Sequence, residues 1–199
     1  MVTKGLKHVK FTFGMLSILT ASIVVDVIIV TLNGNIPWWL DYSKILWFGI
    51  EGGKISWLKL SSISAVLISF VTSLLTIFTV TNVTMSNGMG KLLRYFPWII
   101  LLAVFNSFSE GVLFRSSILS TLKKVIPKSQ AIVIVAVFFG LAHYYGAPGG
   151  IIGVLMSSLL GWHMCRSMFE TNGFAASWII HFMQSVVIFS TIFMFDNFI

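Results

Sequence analysis

The feature that most limits what this chain can become is a series of long apolar runs. They fall at approximately 11–32, 60–83, 95–117, 130–147, 149–169 and 174–195 of the 199 residues. A helix of about 20 apolar residues crosses the roughly 30 Å of bilayer hydrocarbon. Backbone groups inside lipid must pair within their own segment, which selects helices, and the alternating pattern of a membrane barrel is missing. The expected fold is therefore all-α: a polytopic membrane helix bundle of about six transmembrane helices. Composition agrees. Charged residues make up 10% and hydrophobic residues 57%, whereas soluble domains carry about 25% charged residues.

The flanks fit the same solvent. Phe11–Leu32 is longer than the roughly 7–15-residue core of a secretion signal, and no small-residue cleavage pattern closes it, so an uncleaved helix is expected there. The stretch "NIPWWLDYSKILWFGIEGGKISWLKL" mixes Trp38, Trp39, Trp47 and Trp57 with Asp41, Lys44, Glu51 and Lys54. Half-wet aromatics of this kind suit an interfacial helix, broken at Gly52–Gly53. The net charge of +7 has Lys4, Lys7 and Lys10 before the first run and Lys123, Lys124 and Lys128 in one loop. These are flanks that face anionic lipid. No basic patch with interleaved aromatics speaks for nucleic acid. The single cysteine, Cys165, excludes an internal disulfide. Two regions are expected: 1–94, with the first helices and the interfacial loop, and 95–199, a helical core that carries the chemistry.

Charged and imidazole side chains inside the runs are the functional candidates, because each is costly in lipid. They are Asp26, Glu110, Arg115, His143, His163, Arg166 and His181. On a helix, Asn106 lies one turn before Glu110, where its amide can orient the carboxylate. Arg115 is five residues on, about 140° around an α-helix, so it calls for a partner on another helix, a backbone carbonyl or the interface. Phe139 shares a face with His143, and His181 is followed by Gln184 and Ser185. A buried glutamate and two histidines must find partners, and they are among the few available to each other. A carboxylate can take a proton from water. Neutral imidazoles can bind zinc or stabilise an oxyanion. Together the three can hydrolyse an amide. Glu110 lies deep in its segment and His143 near the far end of its own, so their meeting calls for a shifted fourth helix or a kink near Gly140. His163 and Arg166 fit an interface, Asp26 a bond to a neighbouring helix. Gly149, Gly150, Gly153 and Gly161 fit close helix approach. A transporter would also use midplane charges, but no inverted repeat is visible.

Three ordered stretches, "EGVLFR", "FGLAH" and "HFMQS", resemble the pattern EExxxR, FxxxH and HxxxN (or HxxxB) of the CPBP family, also called CAAX protease and bacteriocin-processing (Abi) proteins. The resemblance covers roughly residues 98–190. It implies a glutamate- or metal-dependent intramembrane endopeptidase acting on a peptide or protein substrate near the lipid, in a bacterial cell membrane. In prenyl-protein members the substrate is a C-terminal tripeptide following a prenylated cysteine. By position, Glu110 is implied to activate the water, and His143 and His181 are the catalytic histidines. Arg115 and Phe139 take the arginine and phenylalanine. A divalent metal such as zinc is the cofactor the resemblance allows. Gly111 stands where the second glutamate would be, and Ser185 where the asparagine would be, with Gln184 beside it as a substitute donor. These departures carry the alternative: a non-catalytic relative that gives bacteriocin self-immunity or acts as a scaffold.

Overall fold

The computed structural model describes residues 57–79, 88–146 and 149–194, and every regular element among them is helical. The first apolar run, Asp26 and most of the interfacial stretch lie outside the described residues. α1 spans Trp57–Thr79 and α2 Gly88–Glu110. A π-helical segment, Gly111–Ser116, then leads directly into α3, Ser117–Leu122. α4 runs over Lys128–Leu141, α5 over Gly150–Thr171 and α6 over Ala175–Met194. Trp57 and Lys59, read from sequence as interfacial loop, belong to the start of α1.

The breaks have local causes. Pro127 precedes α4 with φ −55° and ψ 143°, an extended conformation that separates α4 from the preceding turn. At the end of α5, Asn172 takes the left-handed region (φ 49°), which asparagine tolerates at a helix C-terminus. The Thr171 hydroxyl accepts the Gly173 N–H at 3.1 Å and tightens that reversal. The glycine-rich "HYYGAPGG" break closes through the Gly150 N–H donating to the Tyr144 carbonyl at 2.7 Å. Gly150 itself has φ +67°, with open space where a Cβ would stand. Its role is therefore a turn, and not the close helix approach expected of it.

α6 is the central element, packed against α1, α2 and α5, while α4 packs on α5. Gly140 and Gly161 set the α4–α5 spacing. A Cβ on Gly140 would meet the Ser158 hydroxyl and would lie 2.6 Å from the Val154 carbonyl oxygen. A Cβ on Gly161 would lie 3.0 Å from the Phe139 ring. Phe139, Leu160, Met164 and Ile180 form the small apolar cluster beside the polar centre.

Large apolar side chains point outward. Leu67, Phe70, Leu93, Ile151 and Leu159 are all exposed. Arg115, His181, Ser107, Ser116 and Ser177 are buried instead. That inversion fits a chain solvated by lipid, since a water-soluble surface rarely leaves so much contiguous apolar area uncovered. Gly88–Leu122 and Ala175–Met194 are long and apolar enough to cross a membrane.

The expected six spans are not confirmed. α4 has 14 residues, about 21 Å of helix, short of the roughly 30 Å of hydrocarbon. The strongly apolar part of α1 covers only Lys59–Leu75. α5 is diluted by His163, Arg166 and Glu170.

Candidate active site

Glu110 is the last α-helical residue of α2, and the backbone widens immediately after it. The Ser117 N–H donates to the Val112 carbonyl, five residues back, and the Ser117 hydroxyl donates to the same oxygen at 2.9 Å. A π turn closes on the fifth residue and not the fourth. Residues five apart are thereby drawn towards one face, and the α-helical offset expected between Glu110 and Arg115 no longer applies.

Arg115 is wholly buried, so it does not snorkel to the interface. Its Nη2 donates to His181 Nδ1 at 2.9 Å, and its guanidinium carbon sits 5.1 Å from the Phe139 ring centroid. The partner is thus on another helix, the first of the options open in the sequence. Nε and Nη1 have no hydrogen-bond partner among the described residues. Gly111 explains how the guanidinium fits. A Cβ there would lie 2.6 Å from Phe174 Cζ and 3.0 Å from Arg115 Nη2. The Phe174 ring fills the space beside residue 111, leaving room for Arg115 but none for a second carboxylate.

The two histidines are held in opposite tautomers. A guanidinium only donates, so His181 Nδ1 accepts from Arg115 and the ring proton of neutral His181 is on Nε2. That Nε2 lies 3.4 Å from Glu110 Oε2. For His143 the Nδ1–H donates to the Phe139 carbonyl at 2.8 Å, because a carbonyl only accepts. Its Nε2 therefore carries the lone pair, 3.6 Å from the same Glu110 Oε2. Both separations exceed an ordinary hydrogen bond, as is common before substrate arrives. One carboxylate oxygen thus faces an N–H on one side and a lone pair on the other.

The helix lengths account for their meeting. α2, the π segment and α3 form one rod, and Glu110 is about three turns from its end at Leu122. α4 starts at Lys128 and returns about four turns to reach His143. Gly140 serves the α4–α5 contact described above. Phe139 is the hub of the arrangement: its backbone orients His143, and its ring lies edge-on to His181 with centroids 5.6 Å apart.

The trio opens on a cavity of about 170 Å³, which is also lined by Ile68, Thr72, Asn106, Gln184 and Ser185. Asn106 does not reach Glu110. Its Nδ2 donates to Ser185 Oγ at 3.3 Å, across the α2–α6 interface. Gln184, the expected substitute donor, has its Nε2 directed to Thr72 Oγ1 at 2.5 Å, and its Oε1 is buried with no partner among the described residues. Thr72 and Phe174 were not singled out from sequence. Nothing in a single chain pairs Thr72 with a residue 112 positions away, and a phenylalanine among 18 gives no signal. His163 and Arg166 are not among the cavity residues. Arg166 pairs with Glu170 at 2.6 Å on a partly exposed face of α5.

A catalytic zinc takes three protein ligands and keeps an open position. Glu110 and His143 Nε2 offer two. His181 offers none, with Nδ1 engaged by Arg115 and Nε2 protonated. No group of three or more His, Cys, Asp or Glu side chains among the described residues is arranged to hold a metal. The donor set does not fit zinc.

No curated protein and no solved structure gives a significant match to the chain. A family model described as "Type II CAAX prenyl endopeptidase Rce1-like" matches residues 92–187, a stretch that takes in Glu110, Arg115, Phe139, His143 and His181. Over residues 92–187 the chain is similar to the Rce1-like, type II CAAX prenyl endopeptidase group of the CPBP family.

Proposed function

We propose that the protein is an intramembrane endopeptidase that hydrolyses a peptide bond near the membrane with a water activated by Glu110. The observation that carries this reading is the placing of Glu110 Oε2 3.4 Å from His181 Nε2 and 3.6 Å from His143 Nε2, on one cavity. Glu110 and His143 Nε2 both present acceptors, and a water between them donates a hydrogen to each. Its oxygen lone pair then points away from both, toward a carbonyl carbon in the cavity. Attack transfers the water proton to Glu110, forms the C–O bond and moves the carbonyl π electrons onto oxygen. The Nε2–H of His181 donates to that oxygen. Return of the proton to the amine nitrogen breaks the C–N bond and releases an acid and an amine. General-base help of this kind contributes typically 10²–10⁴-fold.

The family acts on CAAX prenyl proteins by its description, so a farnesyl-cysteine peptide ending in a CAAX tetrapeptide is the first substrate to try. The test is a single turnover in ¹⁸O-water. Incorporation of ¹⁸O into the new carboxyl group in the first turnover is expected. An unlabelled first-turnover product, with the label arriving only in later cycles, would mean that an enzyme carboxylate attacks directly and would refute the water mechanism.

A further inference from the structure

The structure assigns a second oxyanion donor to Asn106, delivered from α2 and not from the helix that carries His181. The inference rests on the peptidase reading above.

Two cross-links tie α2 to α6 at the cavity, one helical turn apart. Glu110 faces His181, at 3.4 Å. Asn106 faces Ser185, at 3.3 Å. Residues four apart on a helix have Cβ atoms about 5–6 Å from each other, so Ser185, which holds the Asn106 amide, lies one turn along α6 from His181.

Amide hydrolysis places negative charge on the former carbonyl oxygen, and preorganised donors aimed at that point lower the barrier most. His181 contributes one N–H, fixed on Nε2 by Arg115. A second donor from this part of the cavity must come from Gln184, Ser185 or Asn106. Gln184 gives one of its two amide hydrogens to Thr72 Oγ1, which turns its amide toward α1. Ser185 is buried, whereas Asn106, which donates to it, is half-buried on the cavity. Asn106 lines the cavity, and its bond to Ser185 uses one of two amide hydrogens. Turned over, the amide would accept from the Ser185 hydroxyl and leave both N–H bonds free, so a donor survives in either orientation. Ser185 occupies the position of the third motif's asparagine, and the amide missing from α6 is supplied to the same point by α2.

The test uses the full chain in proteoliposomes with the farnesyl-cysteine CAAX peptide as probe. Asn106→Ala, and Asn106→Leu as a variant closer in volume, are expected to lower kcat by roughly 10²–10³-fold with KM little changed. Ser185→Asn placed on the Asn106→Ala background returns an amide to the same rung from the opposite helix, and a recovery of at least about tenfold is expected. Three results would overturn the inference while leaving the peptidase reading intact: kcat within about threefold of wild type in both Asn106 variants, a loss confined to KM, or no recovery in the double variant when thermal unfolding shows it folded. A wild-type protein that leaves the probe intact, or a Glu110→Gln protein that cleaves it, would remove the peptidase reading and this inference with it.

Discussion

Arg115 and His181 meet at 2.9 Å across two helices, both buried, and the guanidinium decides which ring nitrogen holds the proton. Burying an ion costs several kcal/mol even after relaxation. Here the cation has no carboxylate within ion-pair distance among the described residues, and two of its nitrogens have no partner. Its retention is explained by what it does to the imidazole: it orients the ring and leaves Nε2–H aimed at the cavity.

Arg115→Met tests that role. Methionine removes the buried charge and keeps much of the volume, so unfolding stability is expected to stay close to wild type or rise. Turnover is expected to fall by roughly tenfold or more, since loss of a partner at the second ring nitrogen frees tautomer and orientation. Nitrogen NMR of His181 should show an unprotonated Nδ1 in the wild type and a mixture of tautomers in the variant. An unchanged tautomer would count against the assignment.

Gly111 is held to its size by Phe174. Gly111→Ala is expected to destabilise the protein by about 1–3 kcal/mol through forced movement of the ring, because the added Cβ would lie 2.6 Å from Phe174 Cζ. Phe174→Leu on that background should return part of the loss. Denaturant titration of the three proteins measures both terms. Additive destabilisation in the double variant would show that the ring and the glycine are not coupled.

Gly140→Ala should act differently, because its obstacle includes backbone. The new Cβ would meet Ser158 and lie 2.6 Å from the Val154 carbonyl oxygen. Adding Ser158→Ala removes only the side-chain part, so stability is expected to recover incompletely. Displacement of α4 also shifts His143, so kcat should fall along with stability. A Gly140→Ala protein with wild-type kcat would show that the α4–α5 spacing does not set the position of His143.

Chelation gives a fourth check. With two ligand atoms where three are needed, prolonged treatment with EDTA or ortho-phenanthroline should leave turnover unchanged. Loss of activity that zinc restores would contradict the tautomer given to His181.

Much of the centre was legible because lipid makes polar residues conspicuous. Glu110, His143 and His181 stood out as the few groups that had to find each other, and the fold brings them to one cavity. Helical character followed from the apolar runs, but their number as spans did not, since hydropathy cannot show that α4 stops after 14 residues. Arg115 finds its partner on another helix, as the sequence suggested, but the π segment that carries it has no sequence signal and changes the angle assumed between it and Glu110. Asn106 was assigned to Glu110 on spacing alone. Its actual partner, Ser185, lies 79 residues away, and only packing brings them together.

The most direct measurement is cleavage of the farnesyl-cysteine peptide by wild type and Glu110→Gln, with both proteins verified as folded. Wild-type turnover and a loss of roughly 10²–10⁴-fold in the variant are expected. Equal turnover by the two proteins would contradict the assignment of Glu110 as the group that activates water.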